Sequence, residues 1–583
     1  MNNLKLGILQ KETLYLKLGL SVCFLLTLLS LIIIERSPAK GYEISIYSNT
    51  PVLVWISLIF GESIGIAVII YSSFKKIKGN WWIIGFFLII LDNFIFISLA
   101  GLRGYIYYAG SDSFFHISEI ELINQNGYLT NNNYPVIHIL ASELSEMALI
   151  SPPDIARYLP AFLSVIFLNI FIFLLAGELV PDKKVAILAS ATSSVMLFNN
   201  LHVQIYPHFF STIMFSLFFY IYFKSKRKKS LELILIQLLL LLVFPFSHPS
   251  SSLALIFILF ALTLAEIAYC KQYNLDLSIR DMSINSILFS LIILIMWVMA
   301  SRLFDSGINN ILGNILQPWQ NGQLNVAVEI ASNLTFVESL EYFLKMYGDT
   351  LVCIFASIMF SSFIIFKFAN KIKIDKYVFF LSIMILITIP IEYFFFFGVK
   401  IQAIGRLLNL LYALIFAPIA LGCLLKDNYT NKGIFFSSLL ILFLLIVSIL
   451  SIYSSPWTYS ASWHVTDMDV TGSSWLLNNK NPDLLVDPMA LSLFLVPGKY
   501  GLIPEHFGYD FHNKSLRDSF SQKCYICITK RCKLINLYPV LVKAKLNLKG
   551  GWGFNADDFL KLEEDPSVLK LYSNGEFYST AIL

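Results

Sequence analysis

The chain has 583 residues, 57% of them hydrophobic and only 14% charged, with a mean hydropathy of +0.70. A soluble domain carries roughly a quarter charged residues, so an ordinary soluble enzyme is excluded. The net charge of +4 comes from basic residues spread between apolar blocks rather than gathered into a stripe, which argues against a nucleic-acid partner.

The apolar residues fall in blocks of roughly 18–24, the length that crosses about 30 Å of hydrocarbon. About thirteen spans are predicted: 16–34, 52–72, 81–100, 155–178, 184–200, 206–223, 231–247, 250–269, 283–303, 348–367, 377–397, 406–425 and 434–453. The first run, Leu16–Ile34, is long for a signal-peptide core and is followed by Glu35-Arg36-Ser37-Pro38 rather than a small-residue cleavage site; it reads as a retained span.

Charge alternates along the connections. One set holds Lys75-Lys76-Ile77-Lys78 and the basic run Lys224–Lys229, whereas the long 101–154 segment holds Arg103 and no Lys. The positive-inside rule then predicts a multi-pass cell-membrane protein with a cytoplasmic N-terminus and an extracytoplasmic C-terminus. Two large outer loops follow, 101–154 and 304–347. The expected organisation is a transmembrane domain over 1–453 and a small α/β outer domain over 454–583.

The 101–154 loop opens on Gly110-Ser111-Asp112-Ser113-Phe114-Phe115-His116. On a helix, at about 100° per residue, His116 falls about 40° from Asp112 and Glu119 about 20° the other way. All three share one face. A carboxylate, an imidazole and a second carboxylate so placed suit a divalent cation or a hydroxyl in need of a base. Asp112 also suits a helix N-cap, with Phe114, Phe115, Ile117 and Ile120 lying among lipid headgroups.

Farther along, Asp92 lies alone inside the third span and reads as a hydrogen-bonding residue between helices. His202, His208 and His248 sit in short outer turns and are expected to share a polar rim with Asp112. Lys400 and Arg406 flank the start of the twelfth span; an Arg fork there suits a phosphate. In the tail, Gly472–Asn479 is predicted helical and Leu484–Val486 a strand. Val568–Ile582 is predicted to form a hairpin, turning at Asn574-Gly575 in a type I′ geometry. Asp467-Met468-Asp469 is either a lid over the site or a helix cap.

Cys23, Cys270, Cys353 and Cys423 read as small apolar residues of the spans. In the tail, if Lys523–Ile528 and Cys532–Leu537 are hairpin strands, Cys527 and Cys532 stand opposite each other and form a disulfide. Cys524–Cys532 is the second choice.

Asp112-Ser113-Phe114-Phe115-His116, with Tyr134-Pro135 and His138 following, resembles the outer-loop motif Asp-x-(Phe/Tyr)-(Phe/Tyr)-(His/Asn) of the GT-C glycosyltransferases. That superfamily includes oligosaccharyltransferase catalytic subunits and protein O-mannosyltransferases. The resemblance implies an all-α polytopic membrane fold with an outer C-terminal domain. It implies a hexosyltransferase-type enzyme that takes a sugar from a polyprenyl (dolichyl) phosphate to a glycan, lipid or protein acceptor hydroxyl at the outer membrane face. Asp112 would then be the catalytic base or a metal ligand, with His116 and Glu119 beside it. Any cofactor would be a divalent cation, magnesium or manganese, on those three residues. Arg406, with Lys400 or the rim histidines, would meet the donor phosphate. The family's Trp-Trp-Asp-Tyr-Gly tail signature is absent, Gly550-Gly551-Trp552-Gly553-Phe554 being no substitute, so N-glycosylation at sequons is not expected. Two spans more than in the resembling proteins precede the Asp112 loop. Two other readings stay open: a transporter or flippase of lipid-linked substrates, and a non-catalytic assembly protein with this fold.

Overall fold

The computed structural model describes residues 2–75, 79–108, 111–129, 134–197, 199–275, 284–300, 332, 334–393, 412–426, 431–488, 523–541 and 556–582. Helices occupy each predicted apolar run, in whole or in part. In chain order they are α1 (Asn2–Glu35), α2 (Val52–Lys75) and α3 (Trp81–Leu102), then β1 (Tyr107–Tyr108), α4 (Ser111–Asn126) and α5 (Pro135–Ala148) of the 101–154 segment. Next come α6 (Pro152–Leu179), α7 (Lys183–Val195), α8 (Pro207–Lys228), α9 (Leu231–Ser247), α10 (Pro249–Tyr273) and α11 (Ile284–Ala300). The last of the bundle are α12 (Phe336–Ala369), α13 (Lys376–Tyr393), α14 (Ala417–Leu425) and α15 (Asn431–Ser451). Among the described residues, six helical segments are long and apolar enough to cross a membrane: Leu14–Glu35, Val52–Phe74, Trp81–Leu102, Pro152–Leu179, Pro249–Tyr273 and Lys432–Ser451.

Several boundaries move for local reasons. The helix expected from 348 begins twelve residues earlier, because Thr335 and Glu338 form a reciprocal capping box at its start. Of the expected outer loop 304–347, most lies outside the described residues. In α6 the turns over Leu163–Leu168 widen to a π-helix just after Pro160, which lacks the N–H an α-turn needs.

The four glycines at the α2–α3 and tail contacts have distinct jobs. Gly65 and Gly85 let α2 and α3 cross in backbone contact; a Cβ on Gly85 would stand 2.9 Å from the Gly65 carbonyl. Gly61 faces Asp92 at the same crossing. The fourth, Gly472, lies in the tail.

The tail carries β2 (His464–Val465), α16 (Asp467–Asn479), β3 (Leu485–Pro488), β4 (Cys524–Thr529), α17 (Lys530–Leu537), α18 (Ala556–Glu564), β5 (Val568–Ser573) and β6 (Phe577–Ile582). Four strands form one sheet in the order β3-β4-β6-β5, with β3 parallel to β4 and the rest antiparallel. Helix α16 starts five residues before its expected position, at the Thr466–Asp469 capping box, so Asp469 is a buried cap. The hairpin forms where expected, but only Gly575 takes positive φ (93°), so the turn is not type I′. Instead the Asn574 side-chain oxygen accepts the N–H groups of Glu576 and Phe577.

The predicted Cys527–Cys532 disulfide is overturned. Thr529 caps a helix, accepting the Cys532 N–H at 3.2 Å, so Cys532 enters α17 rather than a return strand. Cys527 packs with Leu476 and Phe577 on one face of the sheet; Cys532 packs with Cys524, Phe559 and Leu562 on the other. No disulfide joins Cys527 to Cys532.

The tail is bound to the helix bundle through the end of α3. Arg103 grips Glu43 with both terminal nitrogens, at 2.6 and 2.8 Å, and Tyr105 donates to the same carboxylate. His464 of β2 stacks on Tyr105 at 3.5 Å, and its Nδ1 accepts the Glu43 N–H at 3.1 Å. β2 then pairs with β1, Tyr107 opposite Val465 and Tyr108 opposite His464. Glu576 accepts the Tyr42 N–H at 2.7 Å, and Arg531 donates to the Ser462 carbonyl while lying over the Trp463 ring.

Gly472 gives a test of this packing. A Cβ there would stand 2.4 Å from the Phe577 ring, a buried residue between α16 and β6. Gly472→Ala is expected to cost roughly 1–3 kcal/mol by overpacking. The tail should then be cleaved sooner in limited proteolysis of the detergent-solubilised protein. An unchanged cleavage rate would mean that α16 slides aside freely.

Candidate functional site

Asp112 occupies the second position of α4. Its side chain lies outside the described residues. Because α4 is one unbroken helix to Asn126, the i, i+4, i+7 spacing of Asp112, His116 and Glu119 is preserved in the backbone. The helix does not lie open on the membrane surface as its apolar residues had suggested. Phe114, Ile117 and Ile120 are buried in the protein core, where α4 packs against α5 and α6.

The first turn of α4 is tied to a second segment. Ser113 Oγ donates to the Gln204 side-chain oxygen at 2.6 Å, and the Tyr206 hydroxyl donates to that same oxygen at 2.5 Å. This holds the turn before α8 against the residue next to Asp112. A narrow pocket beside it is lined by Tyr105, Tyr107, Tyr108, Ser113, Arg157 and Gln204, with about 20 Å³ of open space. That is room for about one water. Arg157 aims into this neighbourhood with its guanidinium fixed, two nitrogens on the Ile106 carbonyl (2.9 and 2.7 Å) and one on Asp154 (2.5 Å). Sequence reading folded Arg157 into a span and missed it; the Asp154/Arg157 spacing at i, i+3 was the available signal.

Around this turn stands a cage of rings. His116 Nδ1 lies 2.9 Å from His138 Nε2, so one ring donates and the other accepts. Tyr134 stacks on His248 at 4.9 Å with the planes 5° apart. His208 lies 6.1 Å from His248 and 5.2 Å from Tyr206, which lies 6.2 Å from His116. Ser250 Oγ is 2.6 Å from His248 Nδ1. Residues from α4, α5, the turn before α8 and the α9–α10 junction thus converge.

The structure therefore brings His116, His208 and His248 together, and adds His138 as the partner of His116. His202 packs on Phe209 at 4.8 Å, and neither of its ring nitrogens has a hydrogen-bond partner. Glu119 is buried on α4. Lys400 and Arg406 lie outside the described residues. Of the residues expected to hold a divalent cation, His116 bonds His138 through Nδ1, and the Asp112 side chain lies outside the described residues. Among the described residues, no three His, Cys, Asp or Glu side chains gather as a metal would need.

Burial decides the charge of the cage. It pushes His138 down to about 3, His248 to about 4 and His202 to about 3. His116 is held well below the ordinary imidazole value by burial first, then by His138, His208 and His248. These rings are neutral at pH 7. They can donate or accept one hydrogen bond each, and they bring no net positive charge.

No family model and no curated protein matches the chain. In structure it is similar to an oligosaccharyltransferase of Archaeoglobus fulgidus, solved tethered to an acceptor peptide. The identity is 12% and the TM-score 0.47, over 85% of this chain and 74% of that one. It is also similar to ArnT of Cupriavidus metallidurans, solved with bound undecaprenyl phosphate. Here the identity is 11% and the TM-score 0.45, over 86% of this chain and 98% of that one.

The lowered histidines fix the sign of a pH effect. The unfolded chain binds protons near 6.5 that the folded chain refuses down to about 3–4. Their contribution to stability is present above pH 6.5 and is lost as pH falls below it, by about 1.4 kcal/mol per pH unit and histidine at most. Thermal unfolding in detergent should show Tm falling from pH 6.5 to 4. His138→Gln should flatten that fall, and an equal slope in wild type and variant would contradict the neutral cage.

Proposed function

We propose that this chain is a GT-C-type membrane glycosyltransferase that moves a hexose from a polyprenyl-phosphate donor to an acceptor hydroxyl at the outer face. The observation that carries this reading is the position of Asp112. It sits in the first turn of α4, beside the fixed Ser113–Gln204–Tyr206 chain and the ring cage of His116, His138, His208 and His248. The sequence motif around Asp112 supports the same class. In this proposal thirteen spans carry the site, with the N-terminus inside and residues 454–583 forming an outer α/β domain.

In the proposed reaction Asp112 takes the proton of the acceptor hydroxyl. The acceptor oxygen bonds to the anomeric carbon, and the bond from that carbon to the phosphate oxygen breaks. The electron pair leaves with the polyprenyl phosphate. Because burial keeps His202 and His248 neutral, they serve as hydrogen-bond donors to the leaving phosphate and cannot neutralise it. That charge falls to Arg406, with Lys400 beside it in sequence. His116 and Glu119, on the face of Asp112, hold the base in position. No step requires a metal ion.

Asp112→Asn tests the base. It keeps the size and removes only the charge in the first helical turn, so stability should change by roughly 1 kcal/mol or less. Sugar transfer by purified protein should fall roughly 10²–10⁴-fold. Near-normal transfer at matched expression and Tm would remove Asp112 from the chemistry. A wild type that transfers nothing yet carries lipid-linked sugar between leaflets would favour the transporter reading.

Orientation is tested separately. A cysteine replacing exposed Asp483 in the tail should react with a membrane-impermeant maleimide in intact cells, and one replacing exposed Lys228 should not. The reverse pattern would put Asp112 on the cytoplasmic side and end the outer-face proposal.

A further inference from the structure

Helices α1, α2 and α3 enclose two acidic side chains that the proposed chemistry does not use. Asp92 is the twelfth of 22 residues in α3, and Glu62 the eleventh of 24 in α2; both are 0% exposed. At 1.5 Å per residue each lies roughly 15 Å from the helix end, in mid-membrane. Both Glu62 oxygens and one Asp92 oxygen are buried without a hydrogen-bond partner. Among the described residues, no Lys, Arg or His pairs with either carboxyl. Glu62 lies within electrostatic reach of Asp92. Two unpaired carboxylates at that depth would be very costly.

Thr27 of α1 supplies the second argument. Its hydroxyl lies 3.0 Å from the Cys23 carbonyl and 2.7 Å from Asp92 Oδ1. A hydroxyl has one proton. Thr27 gives it to Asp92 Oδ1 at the shorter distance, or to Cys23 while a protonated Asp92 donates to Thr27; both arrangements accommodate a neutral acid at Asp92. Gly61 makes the space: a Cβ there would stand 2.3 Å from Asp92 Oδ2.

We propose that Glu62 and Asp92 form a proton-binding site inside the membrane, holding both carboxyls as neutral acids at pH 7. Loss of either proton would place charge at the close α2–α3 crossing. The site thereby links the packing of α3 to protonation, and the outer end of α3 leads through Arg103 to β1 and Asp112.

The full-length protein in lipid vesicles would be treated with dicyclohexylcarbodiimide, a lipid-soluble reagent that adds to protonated carboxyls, and its peptides mapped by mass spectrometry. An adduct on Glu62 or Asp92 at pH 7 is expected, together with an infrared carbonyl stretch of a protonated acid that shifts in deuterated water. Glu62→Gln with Asp92→Asn should abolish both signals and leave Tm near the wild-type value, since each amide copies a neutral acid. If that variant does not fold, the wild-type infrared band decides alone. A wild type showing only carboxylate bands would overturn the assignment. So would sodium that blocks the adduct and removes the acid band, because the pair would then hold a metal cation.

Discussion

The buried ion pair between Glu43 and Arg103 is the contact on which the Asp112 end of the molecule depends. Arg103 is 2% exposed and Glu43 10%. Removing one partner of such a pair leaves an uncompensated buried charge, at a cost of about 3–5 kcal/mol. The pair does more than join the segment after α1 to the end of α3. The Glu43 backbone N–H also fixes His464, and His464 lies between Tyr105 and Tyr42. Since Nδ1 accepts, the ring is neutral, which agrees with burial and then Arg103 holding its value down to about 3. One carboxylate thereby sets the start of β2, the β1–β2 ladder, and the chain entry into α4. Asp112 stands only four residues after Tyr108, so its backbone position follows from this clamp.

Much of the helix layout could be read from the sequence because hydrocarbon thickness sets the length of apolar runs. The face shared by Asp112, His116 and Glu119 was equally legible, since α-helical period alone defines it. The hairpin at Asn574-Gly575 was legible for a similar local reason. His138 was visible as a residue but not as the partner of His116, twenty-two positions away. The same holds for Gln204 under Ser113 and for His464 against Glu43. Such contacts depend on how distant segments pack, and one chain carries no local sign of them. The Cys527–Cys532 error was different. Thr529, three residues before Cys532, is a helix-cap signal that strand alternation concealed.

The ring cage limits how the site around α4 can handle charge. A neutral histidine in a dry site is a directional donor or acceptor, not a counter-ion. Stacking of Tyr134 on His248 and the His116–His138 bond restrict the rings further, so donors there are set before any ligand arrives. Preorganised donors of this kind favour developing negative charge without reorganising. They also make the site sensitive to acid, because protonating one ring places charge beside three others.

Polar clamps stand at both ends of the bundle, and the contrast between them explains the middle. At the end opposite Asp112, Glu266 of α10 is buried and takes both Lys226 of α8, at 2.9 Å, and Lys376 of α13. There one carboxylate is matched by two cations near water. At the Asp112 end Glu43 is matched by Arg103 and Tyr105. Glu266 is satisfied by donors from two other helices and Glu43 by donors from the segment after α3, so each charge fixes helix ends in place. Among the described residues Asp92 and Glu62 have no such cations, and both are fully buried. The physical resolution we propose for them is neutrality, with Thr27 at Asp92 Oδ1 and the small Gly61 leaving room for Oδ2.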